Sequence, residues 1–208
     1  SVLMTVYNRE KYIAEAIESV MGSSYQNWEL IIVDDQSRDR SVEIAQSYAA
    51  KDARIQVHVN EVNLGDYPNR NRAASYAKGK YLKYLDSDDL IYPHGLAVMV
   101  EAMERYPDAG LGMQGHKSNF MLSYPFIVSS EEVYKQQFLG TGLLFSGPTG
   151  TIVRHDVFKE YRGLCETRYT GDFDSWLAFS SKHPVVVFQL ALIWWRQHEG
   201  QAYKLGQC

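Results

Sequence analysis

Carboxylates gather where apolar runs give way to polar residues: Asp34-Asp35, Asp86-Ser87-Asp88-Asp89 and Gly171-Asp172-Phe173-Asp174. Asp86 and Asp88, alternating at a strand end, can turn oxygens toward one cation. Mg2+ and Mn2+ are hard ions that take oxygen ligands, and Mg2+ usually keeps one or two protein carboxylates beside substrate phosphates. Such a cation bridges the phosphates of a nucleotide diphosphate and neutralises the charge that grows as it leaves. The same segment serves equally as an acidic turn ahead of the helix that Pro93 opens. Asp34 or Asp35 can accept a hydrogen bond from a uracil imide N–H or a ribose hydroxyl; otherwise the pair favours the next helix through its dipole. Asp172 or Asp174 can take a proton from an acceptor hydroxyl, with Tyr169, Phe173 and Trp176 as an apolar wall that raises the carboxyl pKa toward the working pH. Either can instead cap the helix that follows. Arg196-Gln197-His198 offers a cation for a leaving phosphate and a histidine for metal or phosphate, although a single histidine is more commonly a surface or core residue.

The elements that position these groups alternate. Strands are predicted over Ser1–Val6, Glu29–Val33, Arg54–Asn60 and Lys80–Leu85. Helices are predicted over Glu10–Met21 with Asn8 as N-cap, from a Ser37 cap to about Ala50, over Asn69–Ala77, and from Pro93 to about Tyr106. Such alternation implies parallel pairing with right-handed crossovers, and ligands then bind at the carboxyl ends of the strands. Tyr7-Asn8, Asp34-Asp35, Asn63 and Asp86 with Asp88 would all collect there. The second half is less regular. His116–Ser130 has no clear period, a turn at Ser146–Gly150 leads into a strand Thr151–Arg154, helices follow at His155–Tyr161 and Asp174–Ser181, and Pro184–Trp195 reads as one buried strand interrupted by Gln189.

The 208 residues, 45% hydrophobic and 22% charged, suit one globular domain. A net charge of −4 argues against nucleic acid as a partner. The local cluster Arg70, Arg72, Lys78, Lys80 and Lys83 reads as a solvated helix face and strand end. Cys165 and Cys208 form no disulfide framework, so a reducing, cytoplasmic setting is expected. Neither a signal peptide nor an apolar run of membrane-spanning length is found. The chain enters a strand at once without an initial Met, so trimming at one or both ends is expected.

The ordered set Ser1-Val-Leu-Met-Thr-Val-Tyr-Asn8, Ile31-Ile-Val-Asp-Asp-Gln-Ser37, Asn63-Leu-Gly65, Asn71-Arg-Ala73, Lys78-Gly-Lys-Tyr81 and Leu85-Asp-Ser-Asp-Asp89 resembles the family 2 glycosyltransferases with the GT-A fold, and is similar to the bacterial members that build surface polysaccharides. The likeness is close over the first half and continues only through Gly147–Gly150, Gly171-Asp172 and Arg196–His198. It implies one GT-A catalytic domain over 1–208, an α/β fold with a mixed, mainly parallel sheet flanked by helices, residues 1–110 binding the nucleotide sugar and 111–208 the acceptor. It also implies roles. Thr5, Tyr7 and Asp35 hold the base, Tyr7 by stacking and Asp35 as acceptor; Asn8 and Ser87 belong to the same donor site; Asp86 lies near the ribose or sugar and Arg72 near the diphosphate or sugar. Asp88 and His198 bind Mn2+ or Mg2+, and Asp172 is the base of an inverting transfer. The expected donor is a nucleotide-diphosphate sugar, with UDP favoured. The acceptor is a saccharide or lipid-linked saccharide, reached with peripheral association at the inner membrane face.

Two departures stand out. Gly171-Asp172 replaces the commoner Glu-Asp, which leaves Asp174 as a competitor, and the Gln-x-x-Arg-Trp motif of processive synthases is absent, which favours non-processive transfer. A nucleotidyltransferase should carry a Gly-rich phosphate loop where Tyr7-Asn8-Arg9-Glu10-Lys11 stands. A phospho-acceptor receiver domain would place its acidic pair after the first strand. A non-catalytic nucleotide-sugar-binding domain would lack the base or the carboxylate pair.

Overall fold

The computed structural model describes residues 1–115 and 123–199. Strand and helix alternate through β1 (Val2–Val6), α1 (Ile13–Met21), β2 (Leu30–Asp34), α2 (Ser41–Ala49), β3 (Ile55–Val59), α3 (Asp66–Ser75) and β4 (Tyr81–Tyr84). There follow β5 (Leu90–Ile91), α4 (Gly95–Arg105), β6 (Leu111–Gln114), β7 (Phe126–Val128), α5 (Ser130–Leu139), a 3-10 turn Pro148–Gly150, β8 (Thr151–Arg154), α6 (His155–Glu160), α7 (Gly171–Ser180), β9 (Val185–Phe188) and β10 (Ile193–Trp194).

Eight strands make one sheet in the order β3-β2-β1-β4-β8-β6-β9-β7. β3, β2, β1 and β4 run parallel; β8 is antiparallel to β4 and β6; β6 and β9 are parallel, and β7 closes the edge antiparallel to β9. The expected α/β architecture is present, and β8 stitches the later strands onto the earlier ones in a continuous sheet. The two-residue period sends alternate side chains to opposite faces. Leu3, Ile31, Val33, Val153 and Val185 pack beneath α3, α6 and α7, while Val2, Met4, Leu30 and Ile32 pack beneath α1. Ile152, Val186 and Phe188 meet α4. Strands covered on both faces read as unbroken apolar runs, which is why Leu30–Asp34 is buried throughout. α1 buries Ile13, Ala16, Ile17 and Val20 at helical spacing; each of the larger three contributes about 1.5–3 kcal/mol.

Several boundaries differ from the sequence expectation, each for a local reason. Asn8 does not cap a helix: α1 begins at Ile13, and Asn8 Oδ1 accepts from the Arg38 N–H at 2.8 Å. Ser37 likewise does not cap α2; its hydroxyl accepts from the Asn8 N–H at 2.8 Å, and Asp39 takes the Ser41 N–H at the helix start. The β1–α1 and β2–α2 loops are thereby laced together. α3 starts at Asp66 rather than Asn69, because Gly65 at φ 86° turns the chain and Pro68 falls in the first turn, where no N–H is required. α7 starts at Gly171 rather than Asp174. The run Pro184–Trp195 is not one strand: β9 ends at Phe188, Ala191 adopts φ 63°, and β10 pairs with β5 in a separate ribbon. Within His116–Ser130, residues 116–122 lie outside those described, and Phe126–Val128 is β7. Cys208 also lies outside them.

Candidate functional site at the strand ends

The carboxyl ends of β1 to β4 meet at one edge, in a cleft of about 400 Å3 whose walls include Thr5, Tyr7, Asp35, Asn63, Asp86, Ser87, Asp88 and Trp195. That volume suits a small-molecule ligand. Tyr7 is half-exposed at the cleft, whereas Ser87 is buried.

Asp35 is buried and already engaged. Its Oδ1 accepts from Asn60 Nδ2 and the Leu64 N–H, both at 2.8 Å, and its Oδ2 from the Gly65 N–H at 2.9 Å. Asn60 Nδ2 also reaches Asn69 Oδ1 at 2.9 Å. Asp35 therefore fastens the β3–α3 loop, and of the roughly four acceptor positions on a carboxylate it keeps one for a ligand.

Asp86 is gripped by Arg70, whose Nη2 lies 2.8 Å from Asp86 Oδ1 while its Nε donates to Asp66 Oδ1 at 2.8 Å. Burial works against the charge on Asp86, but the Arg70 guanidinium outweighs it and holds the carboxyl below its ordinary range. Burial equally opposes the charge on Arg70, and Asp86 and Asp66 more than restore it. Behind this pair sits Lys83, fully enclosed, with Nζ donating to the carbonyls of Tyr84 and Thr149. Burial drives its pKa down to about 7 against the attraction of Asp86 and Asp89. Thr149 completes the tie, its hydroxyl accepting from the Asp86 N–H at 3.2 Å. Asp89 is buried and accepts from the Arg196 N–H at 3.0 Å; burial and then the Asp86 charge push it up to about 7.

Asp88 and His198, far apart in sequence, come together: His198 Nε2 lies 2.9 Å from Asp88 Oδ2, and Arg9 Nε lies 3.0 Å from the same oxygen. The His198 ring packs on Tyr12 at 4.4 Å between centroids. Among the described residues no cluster of three or more His, Cys, Asp or Glu side chains is arranged to hold a metal. Asp88 and His198 nonetheless fit a hard divalent ion that completes its shell with phosphate oxygens and water.

Not every expected residue joins the cleft. Arg72 is exposed on α3 and does not line the cleft; the arginine at the carboxylates is Arg70, one turn into the same helix. Asn8 spends its side chain on the Arg38 N–H. The basic cluster splits: Arg70 and Lys83 are buried, while Arg72, Lys78 and Lys80 are exposed as expected of a solvated face. Asp172 is set beside the cleft rather than in its wall. Its Oδ1 accepts from the Tyr67 hydroxyl at 3.1 Å and from the Phe173 N–H at 2.8 Å. Its Oδ2 faces Gly147, where an added Cβ would lie 3.8 Å away. Asp174 is occupied locally by the Thr170 hydroxyl at 3.1 Å. Tyr169 is exposed, and Trp176 is a core residue whose Nε1 donates to Ser146 O, so the ring bonded to Asp172 is Tyr67. Arg9, Arg70, Lys83, Thr149 and Tyr67 were not singled out by their spacing as site residues. Asp66 and Arg70 at i,i+4 did carry a readable signal.

Among known proteins, the family described as Glycosyl transferase family 2 matches residues 1–162. Glycosyltransferase GlyG of Streptococcus pneumoniae serotype 4 is 35% identical over 174 residues, covering 77% of this chain and 58% of its own length. A curated Bacillus subtilis (strain 168) relative is 34% identical over 190 residues, and the chain spans 66% of its length. S. aureus TarS 1-349, solved with UDP-GlcNAc, shares the fold with a TM-score of 0.75 at 22% identity, covering 98% of this chain and 60% of that one. The mannosyltransferase PcManGT of Pyrobaculum calidifontis, solved with GDP-Man and Mn2+, gives 0.74 at 14% identity, covering 99% of this chain and 59% of that one.

Proposed function

The chain belongs to glycosyl transferase family 2, and from that premise we propose that its strand-end cleft binds a nucleotide-diphosphate sugar, favouring UDP, and passes the sugar to an acceptor hydroxyl with inversion. The carrying observation is the meeting of Asp88 and His198 at 2.9 Å beside the Asp86–Arg70 pair. Thr5, Tyr7 and the remaining acceptor position of Asp35 take the base, while Ser87 and Asp86, held by Arg70, face the ribose or sugar. Asp88 and His198 hold Mn2+ or Mg2+, which when bound supplies positive charge to the departing diphosphate. Asp172 Oδ2 takes the acceptor proton as the acceptor oxygen bonds to the anomeric carbon and the bond from that carbon to the diphosphate oxygen breaks. An α-linked donor then yields a β-linked product. Most of the rate comes from positioning and electrostatics.

Residues 111–208 serve the acceptor, a saccharide or lipid-linked saccharide of cell-surface polysaccharide or glycolipid synthesis. Half-exposed Trp194 and Trp195 suit that surface. Among the described residues no helix is long and apolar enough to cross a membrane, and the reading places the chain in the cytoplasm with peripheral contact at the membrane face. UDP and GDP are the nucleotides in TarS and PcManGT, so both belong in the test. Isothermal titration of UDP, GDP and dTDP, with and without Mn2+, against wild type and Asp88→Ala decides it. One nucleotide should bind only with the metal and lose that binding in the variant. Absence of binding under every condition overturns the reading.

A further inference from the structure

Among the described residues, Tyr67 is the side chain that hydrogen-bonds Asp172, and its surroundings are built to keep it there. Its ring is buried, and a Cβ at Gly171 would sit 2.9 Å from both Cε atoms and run into the Cys165 carbonyl. Glycine at 171 is thus the residue that admits the ring, which gives a physical reason for Gly-Asp where a larger side chain would otherwise precede the aspartate. The hydroxyl and the Phe173 N–H both engage Oδ1. Oδ2 is left facing Gly147, which has no side chain to block an approaching hydroxyl. Burial raises the Tyr67 pKa, so the hydroxyl stays a donor across the working range. Tyr67 also stands three residues before Arg70 on α3, so one rigid helix holds both Asp172 and Asp86.

We propose that Tyr67 is the positioning residue of the base: it fixes the Asp172 carboxylate so that Oδ2 is presented to the acceptor hydroxyl, in the space that Gly171 provides. This rests on the reading of Asp172 as the base. Tyr67→Phe keeps the ring and removes the hydrogen bond. Its unfolding midpoint and its metal-dependent nucleotide affinity, read by the same titration, should match wild type. Its kcat should fall about tenfold to 100-fold, the loss of one hydrogen bond to a carboxylate, with KM for the donor within about twofold. Added to Asp172→Asn, the substitution should change the residual rate no further. Transfer that survives Asp172→Asn defeats the base assignment. Transfer lost in Asp172→Asn but kept at wild-type kcat in Tyr67→Phe defeats the role of Tyr67 alone.

Discussion

Lys83 makes the site's electrostatics measurable without any ligand. Burial brings its ammonium from an ordinary 10.5 down to about 7. At 1.36 kcal/mol per pH unit that gap is about 5 kcal/mol as an upper bound. Below pH 7 the lysine is protonated in both states and the folded protein carries the full desolvation cost. Between about 7 and 10.5 the folded lysine is neutral while the unfolded one keeps its proton, so stability rises with pH. Asp89, raised to about 7, is ionised in both states above pH 8 and adds no slope there. The buried tyrosines Tyr67 and Tyr84 are common to wild type and variant and cancel in the difference. From pH 8 to 9.5, wild type should therefore gain about 2 kcal/mol relative to Lys83→Met, or roughly 1 M in urea midpoint. Methionine fills the space without the charge. Parallel pH profiles for the two proteins would show that Lys83 stays charged at pH 9.5, and the account of its burial would be wrong.

Two further predictions follow from the same geometry. Arg70→Met should destabilise the fold by roughly 2–3 kcal/mol in urea unfolding and weaken nucleotide binding. Breaking a fully buried pair costs about 3–5 kcal/mol, discounted because the Asp66 and Asp86 side chains are 56% and 32% exposed; unchanged stability and binding would remove Arg70 from the site. Asp172→Asn should cut transfer to a small residual rate while leaving nucleotide binding within about twofold, whereas Asp174→Asn should keep activity and lose only about 0.3–1 kcal/mol from the first turn of α7; the reverse pattern would make Asp174 the base.

Strand existence is legible where two-sided burial leaves an unbroken apolar run, as in Ile31-Ile32-Val33, but not at β6, which is just as enclosed yet carries Gly112 and Gln114 in place of such a run. Boundaries were less so, since they depend on what a polar side chain finds across space: Asn8 is a plausible cap by sequence, yet the Arg38 N–H claims its oxygen. The start of α5 is written in the sequence by Ser129 and Glu132, a capping pattern whose Ser129 hydroxyl accepts from the Glu132 N–H at 3.3 Å. Asp86, Asp88 and His198 stand out as candidates in the sequence because their residue types suit metal and phosphate chemistry regardless of partner. Nothing in the sequence separates Arg70 from Arg72, because which of two nearby helical arginines turns inward is set by the register of α3, which starts at Asp66 and not at Asn69. Lys83 looked like a strand-end charge because nothing local announces that the carbonyls of Tyr84 and Thr149 will receive it.

The motif Asp86-Ser87-Asp88-Asp89 supplies its carboxylates in one short stretch, and their partners give them unequal freedom. Asp86 is locked by a buried guanidinium that is itself committed to Asp66. Asp89 is buried, tied to the Arg196 backbone and pushed to about 7, so near neutral pH it is only partly charged and suits a structural post. Asp88 is held through one oxygen by Arg9, whose side chain is 24% exposed, and by His198, whose ring nitrogen can ligate as readily as it can hydrogen-bond. Arg9 is the partner with access to solvent and it also holds the carbonyls of Tyr7 and Asn8, so it can leave Asp88 without being stranded. Releasing Asp86 would strand a buried arginine, and releasing Asp89 would orphan a backbone N–H. Their partners thus separate positions that spacing alone leaves equivalent: of the three, Asp88 is the carboxylate whose charged partner is partly open to solvent.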